Sequence, residues 1–398
     1  MKFQKKKLKS GLVILFEKRD VPVTTVMLAS KFGSAYETES EKGIAHFIEH
    51  LCFKGTKKRT TKQIAFELEK VGGILNAFTV EQVTAYHVKL PSEHLELAMD
   101  VIFDIYFNPV FPEEEIKKEA NVICEEIRMK GKDNLMVRSL IKIKQHLYGP
   151  PFGLSGFGLE KNIKSMNRKQ LLKKHDEFYV PENSVLCVVG DNSFEDVVRF
   201  AEKFCVERKF SKKEIPKIDF QFLKDQEKRK DIHQANVMLG FHFPKGSEKD
   251  VYAGHVFSTV LGQGMSSKLF TEVREKRGLA YAAKTFYEAE VDYGYLIIWV
   301  GTDEGKVDEV IKVCLEEFGK MKNLTEEELA EAKEQVVGNH AVGAEGSEDV
   351  ALNLIFSEVS GKAEDYYDFE KNINKVCLKD IKKLAGKSEY ASFVLRPE

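Results

Sequence analysis

Three side chains in one short run of the sequence have the types and spacing for metal-assisted hydrolysis: His46, Glu49 and His50, in the segment SEKGIAHFIEHLCF. Ile44, Phe47, Ile48 and Leu51 recur there at i, i+3, i+4 and i+7, the period of an amphipathic helix. Residues four apart on a helix stack one turn above the other, so both imidazoles can point at a single ion. Glu49 lies beside that pair, where a carboxylate can take a proton from a water that the ion polarises. The order HxxEH is the reverse of the commoner HExxH zinc motif. With ten histidines in 398 residues, about 0.03 such pentapeptides are expected by chance. The alternative is a helix that carries two histidines at the edge of a core. The other eight histidines form no comparable cluster in sequence and are read as structural or surface groups.

Two histidines leave a catalytic zinc one protein ligand short. The segment 113–130 supplies carboxylates on a helical pattern whose apolar stripe is Ile116, Ala120, Ile123 and Ile127, with Glu119 and Glu126 two turns apart on its flank. A repeat within the chain separates these two from their neighbours. Residues 111–126, FPEEEIKKEANVICEE, resemble residues 324–339, LTEEELAEAKEQVVGN. At the matching positions Glu119 becomes Ala332 and Glu126 becomes Asn339, while the opening glutamates persist. The second half also lacks HxxEH. The carboxylates that disappear together with the histidines are the better candidates for a metal site. Glu113, Glu114 and Glu115 read as a solvated first turn.

The elements that must position these groups come in two sets. The halves match at an offset of about 210 residues and both end on a helix followed by a strand. Alternating apolar strands such as TAYHVKL and YGYLIIWVG mix with consecutive amphipathic helices. The expected fold is α+β, with two tandem homologous domains, each a largely antiparallel sheet packed with helices. The expected boundaries are 1–206 for the metal-binding domain, 207–230 for a charged linker and 231–398 for the second domain. Sixty-one Lys+Arg against sixty-three Asp+Glu give a net charge of −2, which argues against a nucleic-acid partner. No stretch reaches the ~18 apolar residues of a membrane span. Six scattered cysteines without a CxxC pair suit free thiols in a reducing compartment, so a cytoplasmic location is expected.

GIAHFIEHLCFKGT, GGILNAFTVEQVTAYHV, the ICEEI segment and SSKLFTEVREKRGLAY together resemble the inverted-zincin metallopeptidases, the family that includes pitrilysin, insulin-degrading enzyme and mitochondrial processing peptidase. The order and spacing are similar to those of the processing-peptidase-like members of about 400 residues. The resemblance implies a zinc endopeptidase that acts on peptides or unfolded polypeptide segments inside a clamshell chamber. It implies one zinc per chain, held by His46, His50 and Glu126, because the family's third ligand lies about 76 residues beyond the second histidine. Neighbouring Glu125 stays as the alternative ligand. Glu49 would then be the general base, and Glu119 a carboxylate that supports the ligands. Asn76, Ala77, Phe78 and Thr79, after Gly72-Gly73, would form the edge strand that takes the substrate as an added strand. Arg274 and Tyr281 match an Arg/Tyr pair that reaches the substrate carbonyl. Because one chain holds both the metal motif and this pair, a homodimer is implied. The same fold also occurs in catalytically silent scaffold subunits, which is the competing reading.

Overall fold

The computed structural model describes residues 3–398. The first sheet is built from β1 (Phe3–Lys7), β2 (Val13–Lys18), β3 (Val23–Ser30), β4 (Ile74–Thr79), β5 (Thr84–Pro91) and β6 (Ser184–Gly190) in the order β1-β2-β6-β3-β5-β4. The second holds β7 (Lys224–Arg229), β8 (Ala235–His242), β9 (Ala280–Ala289), β10 (Gly294–Thr302) and β11 (Ala391–Pro397) in the order β7-β11-β8-β10-β9. Strand for strand, β2-β6-β3-β5-β4 answers to β7-β11-β8-β10-β9. In each sheet the corresponding pair, β2–β6 or β7–β11, is parallel and the other pairs are antiparallel. The chain is therefore two homologous α+β units.

The units interleave in sequence. One takes the chain up to Arg128, Ser155–Lys217 and Gly343–Tyr366; the other takes Met129–Leu154, Ile218–Val342 and Tyr367–Glu398. The contiguous boundaries expected at 206 and 231 thus differ from the compact units, and the reason lies in the strands. VILF, VTTVMLA and SVLCVV are apolar on both pleats, as strands covered on two faces must be. In the first sheet Ile14, Phe16, Val26, Leu28 and Val188 face the main helical core, whereas Val13, Leu15, Met27, Ala29, Cys187 and Val189 face the other way. That second face is covered by the helix Ser347–Ser360, through Val350, Ala351, Leu354 and Ile355. The second sheet is covered in the reciprocal way by the helix Leu135–Leu147. The segment 207–230 also holds more than a linker: its KDQEKR is β7, an edge strand most of whose residues face solvent. Charged edges of this kind discourage further strand pairing, which is why the composition reads as a connector.

Five helices of the first half matter for the site: α1 (Ile44–Cys52), α2 (Thr61–Glu69), α3 (Leu95–Phe107), α4 (Glu113–Arg128) and α5 (Leu135–Leu147). α5 packs on β8 and β11 of the second sheet. It comes so close that a Cβ at Gly240 would lie 2.9 Å from Leu147. α1 starts at Gly43, whose φ of 101° suits glycine. Its first amides are met from outside the helix, because the buried Glu37 carboxylate accepts from the N–H groups of Gly43 (3.0 Å) and Ala45 (2.9 Å). Phe47, Ile48 and Leu51 are fully buried under this helix, each contributing roughly 1.5–3 kcal/mol by burial. α4 begins after Pro112 with three glutamates and ends on Arg128, the polarity that a helix dipole favours. Ile116, Ala120 and Ile123 fix it to the same core.

Leu354 is fully buried against the first sheet. Leu354→Ala is expected to destabilise the first unit by about 2–5 kcal/mol, read from denaturant unfolding. A change of less than about 1 kcal/mol would show that the helix from the C-terminal half does not hold this sheet.

Candidate metal centre

His46 and His50 lie one turn apart on α1, with ring centroids 4.7 Å apart and planes nearly perpendicular at 85°. α4 crosses beside them and brings Glu126, whose Oε2 lies 3.5 Å from Nε2 of His46 and 3.5 Å from Nε2 of His50. Among the described residues these three are the group of His, Cys, Asp and Glu side chains whose donor atoms converge within 4.8 Å of one another. Donors bound tetrahedrally to zinc at ~2.0–2.1 Å stand roughly 3.3–3.4 Å from each other. The two His–Glu126 separations, 3.5 Å each, are close to that edge length, and two imidazoles with one carboxylate are a donor set zinc accepts. The residues present therefore fit a zinc ion. Glu125 does not share this geometry: it is two-thirds exposed and its carboxylate is engaged by Arg128.

The groups around the three converge on the same arrangement. Nδ1 of His50 lies 3.1 Å from Oε2 of Glu119, and Lys54 Nζ lies 2.7 Å from the other oxygen of that carboxylate. An Nδ1–H that donates to Glu119 leaves Nε2 as the ligating nitrogen. Burial alone would raise the Glu119 carboxyl, but hydrogen bonds from His50 and Lys54 outweigh it and hold it below the usual range. At His50 burial works against the charged ring, yet hydrogen bonds to Glu119 and Glu126 and the nearby Glu49 prevail and raise the imidazole to about 9. Phe157 packs edge-on against His46, with centroids 6.0 Å apart.

Glu49, on the same helix, is buried, and its Oε2 accepts from the Thr79 hydroxyl. Thr79 ends β4, the edge strand of the first sheet. Gly72, with φ of 78°, turns the chain out of α2 into this strand. Leu75 and Ala77 share the pleat of Thr79 and pack toward the core that holds α1. Asn76 and Phe78 lie on the opposite pleat, where Phe78 meets Phe356. The Ala77 N–H is accepted at 2.9 Å by Asn76 Oδ1. Arg274 and Tyr281 belong to the second unit and form a stack of their own. The Arg274 guanidinium lies 4.7 Å from the Tyr281 ring and 4.6 Å from Phe270, and Tyr281 is 76% exposed.

Sequence reasoning passed over Lys54 and Phe157, and treated Thr79 only as part of the edge strand. Lys54 had a local signal, since it stands four residues after His50 and two before the Thr56 turn. Phe157 had none, because only the tertiary fold brings it to α1.

The family model described as "Insulinase (Peptidase family M16)" matches residues 12–142, and that described as "Peptidase M16 inactive domain" matches residues 165–336. The chain is 31% identical over 92% of its length to YmxG of Bacillus subtilis (strain 168), named an uncharacterized zinc protease, and covers 91% of that protein. It is 34% identical over 88% of its length to another so-named zinc protease, from Rickettsia felis, covering 87% of it. In fold it resembles the crystal structure of a protease from Helicobacter pylori, with a TM-score of 0.91, 24% identity and 100% and 99% of the two chains covered. A structure from Pseudomonas fluorescens described as a peptidase M16 inactive domain also gives a TM-score of 0.91, at 20% identity and with 100% and 98% covered.

With His50 held protonated at neutral pH, a cation that takes Nε2 must displace a proton. Zinc binding to the metal-free protein near pH 7.5 is expected to release about one proton per ion, measured by calorimetry in buffers of different ionisation enthalpy. His50→Ala should abolish both the release and tight binding. Uptake without proton release would contradict this picture of His50. Glu126→Gln should weaken zinc binding, whereas Glu125→Gln should leave it unchanged.

Proposed function

Because the chain belongs to the M16 peptidase family, we propose that it is a zinc-dependent endopeptidase hydrolysing peptides or unfolded polypeptide segments. One observation carries this reading: donor atoms of His46, His50 and Glu126 meet in one place, with Glu49 on the same helix turned to the edge strand. In this proposal one zinc per chain is held by His46, His50 and Glu126, with Glu119 orienting His50. A zinc ion there supplies Lewis acidity and makes a water nucleophilic near neutral pH.

The protein's own groups do the rest. An extended substrate adds to the outer edge of β4 along Asn76, Ala77, Phe78 and Thr79, where main-chain hydrogen bonds give affinity without demanding a particular sequence. Glu49 takes a proton from the attacking water as the oxygen bonds to the peptide carbonyl carbon. It then returns that proton to the leaving nitrogen as the C–N bond breaks. The carbonyl oxygen gains charge at this step, and the Tyr281 hydroxyl and Arg274 are assigned its stabilisation and the grip on substrate carbonyls. A homodimer with closed chambers is proposed as the working assembly, which would spare folded proteins and admit flexible chains. A cytoplasmic location is supported by the six cysteines, all free thiols. No helix among the described residues is long and apolar enough to cross a membrane.

The family model described as an inactive domain falls on residues 165–336, a stretch that does not include His46, Glu49, His50 or Glu126, although the Pseudomonas fluorescens structure of that description is matched over the whole chain. A scaffold without catalysis would have no use for the base beside three convergent donors.

Glu49→Gln is expected to keep the fold and the zinc and to lower kcat by roughly 10²–10⁴-fold on an unstructured peptide. Near-normal turnover in that variant would place the base elsewhere. Tyr281→Phe should leave zinc content unchanged and reduce kcat, because an oxyanion donor acts mainly in the transition state.

A further inference from the structure

We propose that Thr79 is a positioning residue for Glu49: its hydroxyl holds one carboxylate oxygen and thereby fixes the orientation in which the base works. This rests on the peptidase reading and deepens it. Thr79 sits on the strand expected to bind substrate, yet its side chain takes the inner pleat, with Leu75 and Ala77, beneath α1. There its Oγ1 donates to Glu49 Oε2 at 2.5 Å. A substrate strand would meet the backbone at the outer edge, away from this hydroxyl.

The hydroxyl has a close neighbour. Thr79 is paired across the ladder with Thr84, whose Oγ1 lies 3.2 Å away. Thr84 is fully buried and donates to the Phe32 carbonyl at 2.9 Å. Each hydroxyl has one proton to give. The Thr84 proton goes to a carbonyl that can only accept, and the Thr79 proton goes to a carboxylate that, as a base, has none to offer. Both protons are then spent, so the 3.2 Å approach of the two hydroxyls is a contact without a shared proton. Threonine suits the position because its branched Cβ restricts χ1 on a strand, so the hydroxyl does not wander. With Oε2 engaged, the plane of the Glu49 carboxylate is fixed relative to β4. The strand that carries substrate at its outer edge thus also sets the base, and a shift of β4 would move both together.

Valine has the shape of threonine without the hydroxyl, which makes Thr79→Val the informative variant. It is expected to lower kcat by roughly 10–100-fold, with zinc content and KM unchanged, and Thr79→Ser should recover activity to within about threefold. In the Glu49→Gln background Thr79→Val should cause no further loss, because the group it orients is already gone. Peptide affinity measured in that inert background should also be unaffected. Equal losses in both backgrounds, weakened peptide binding, or full activity in Thr79→Val would each overturn the proposal. A crystal structure of zinc-loaded Thr79→Val gives a readout independent of turnover. The Glu49 carboxylate is expected to leave the orientation it has in the parent protein, and an unmoved carboxylate would overturn the proposal. If the parent protein cuts no peptide at all, the peptidase reading fails on its own, while the carboxylate orientation still decides the role of Thr79.

Discussion

The structure depends on holding one carboxylate on α4 within 3.5 Å of two imidazoles on α1. Drawing three polar groups together, partly shielded from water, costs desolvation, which the attraction between His50 and its carboxylates offsets in part. They persist because the two helices are fixed elsewhere. Phe47, Ile48 and Leu51 anchor α1, and Ile116, Ala120 and Ile123 anchor α4, all in one core. Glu37 fixes the start of α1 through two of its amides. Hydrogen bonds and charge around the donors offset the rest: Lys54 neutralises Glu119, and Glu119 binds the far nitrogen of His50. A cation at the point of convergence would complete the compensation.

The repeat explains how such a site arises once in a chain built from two similar units. Five strands of the first sheet repeat the order of the second, with β1 added at one edge, and both sheets need a helix on the face turned away from their main core. Those helices are exchanged: α5, from the first half of the sequence, covers the second sheet, and Ser347–Ser360, from the second half, covers the first. A unit cut out at the middle of the chain would expose an apolar sheet face, so the halves are coupled in folding even where their chemistry has diverged. Where the first unit has Glu119 and Glu126, its counterpart helix has Ala332 and Asn339. Ala332 is buried in the core of the second unit, so at that position the helix serves packing, whereas Asn339 is exposed.

What could be read beforehand follows the range of the interactions. The pairing of His46 with His50 is local, set by a helical period visible in five residues. The two-unit α+β architecture was legible because strand alternation and the repeat are also sequence patterns. The partnership of Glu126 with the histidines joins distant segments. It was accessible only by noting which acidic residues vanish from the second copy, and through the family resemblance. The exchange of α5 and Ser347–Ser360 left no local mark beyond strands apolar on both pleats, which imply a second cover without saying where it comes from. β7 was hidden by its charge, the property that protects an edge strand. The bond from Thr79 to Glu49 needs the strand register and the helix position at once, and neither is local.

The central claim is that α1 and α4 together form a catalytic zinc site. It is tested most directly by anomalous scattering at the zinc edge from crystals of the protein grown with the metal. The account predicts one ion per chain, bonded to Nε2 of His46, Nε2 of His50 and the Glu126 carboxylate, with the Glu49 carboxylate facing the remaining coordination position. An ion bound elsewhere, or no ion at these three residues at saturating zinc, would contradict it.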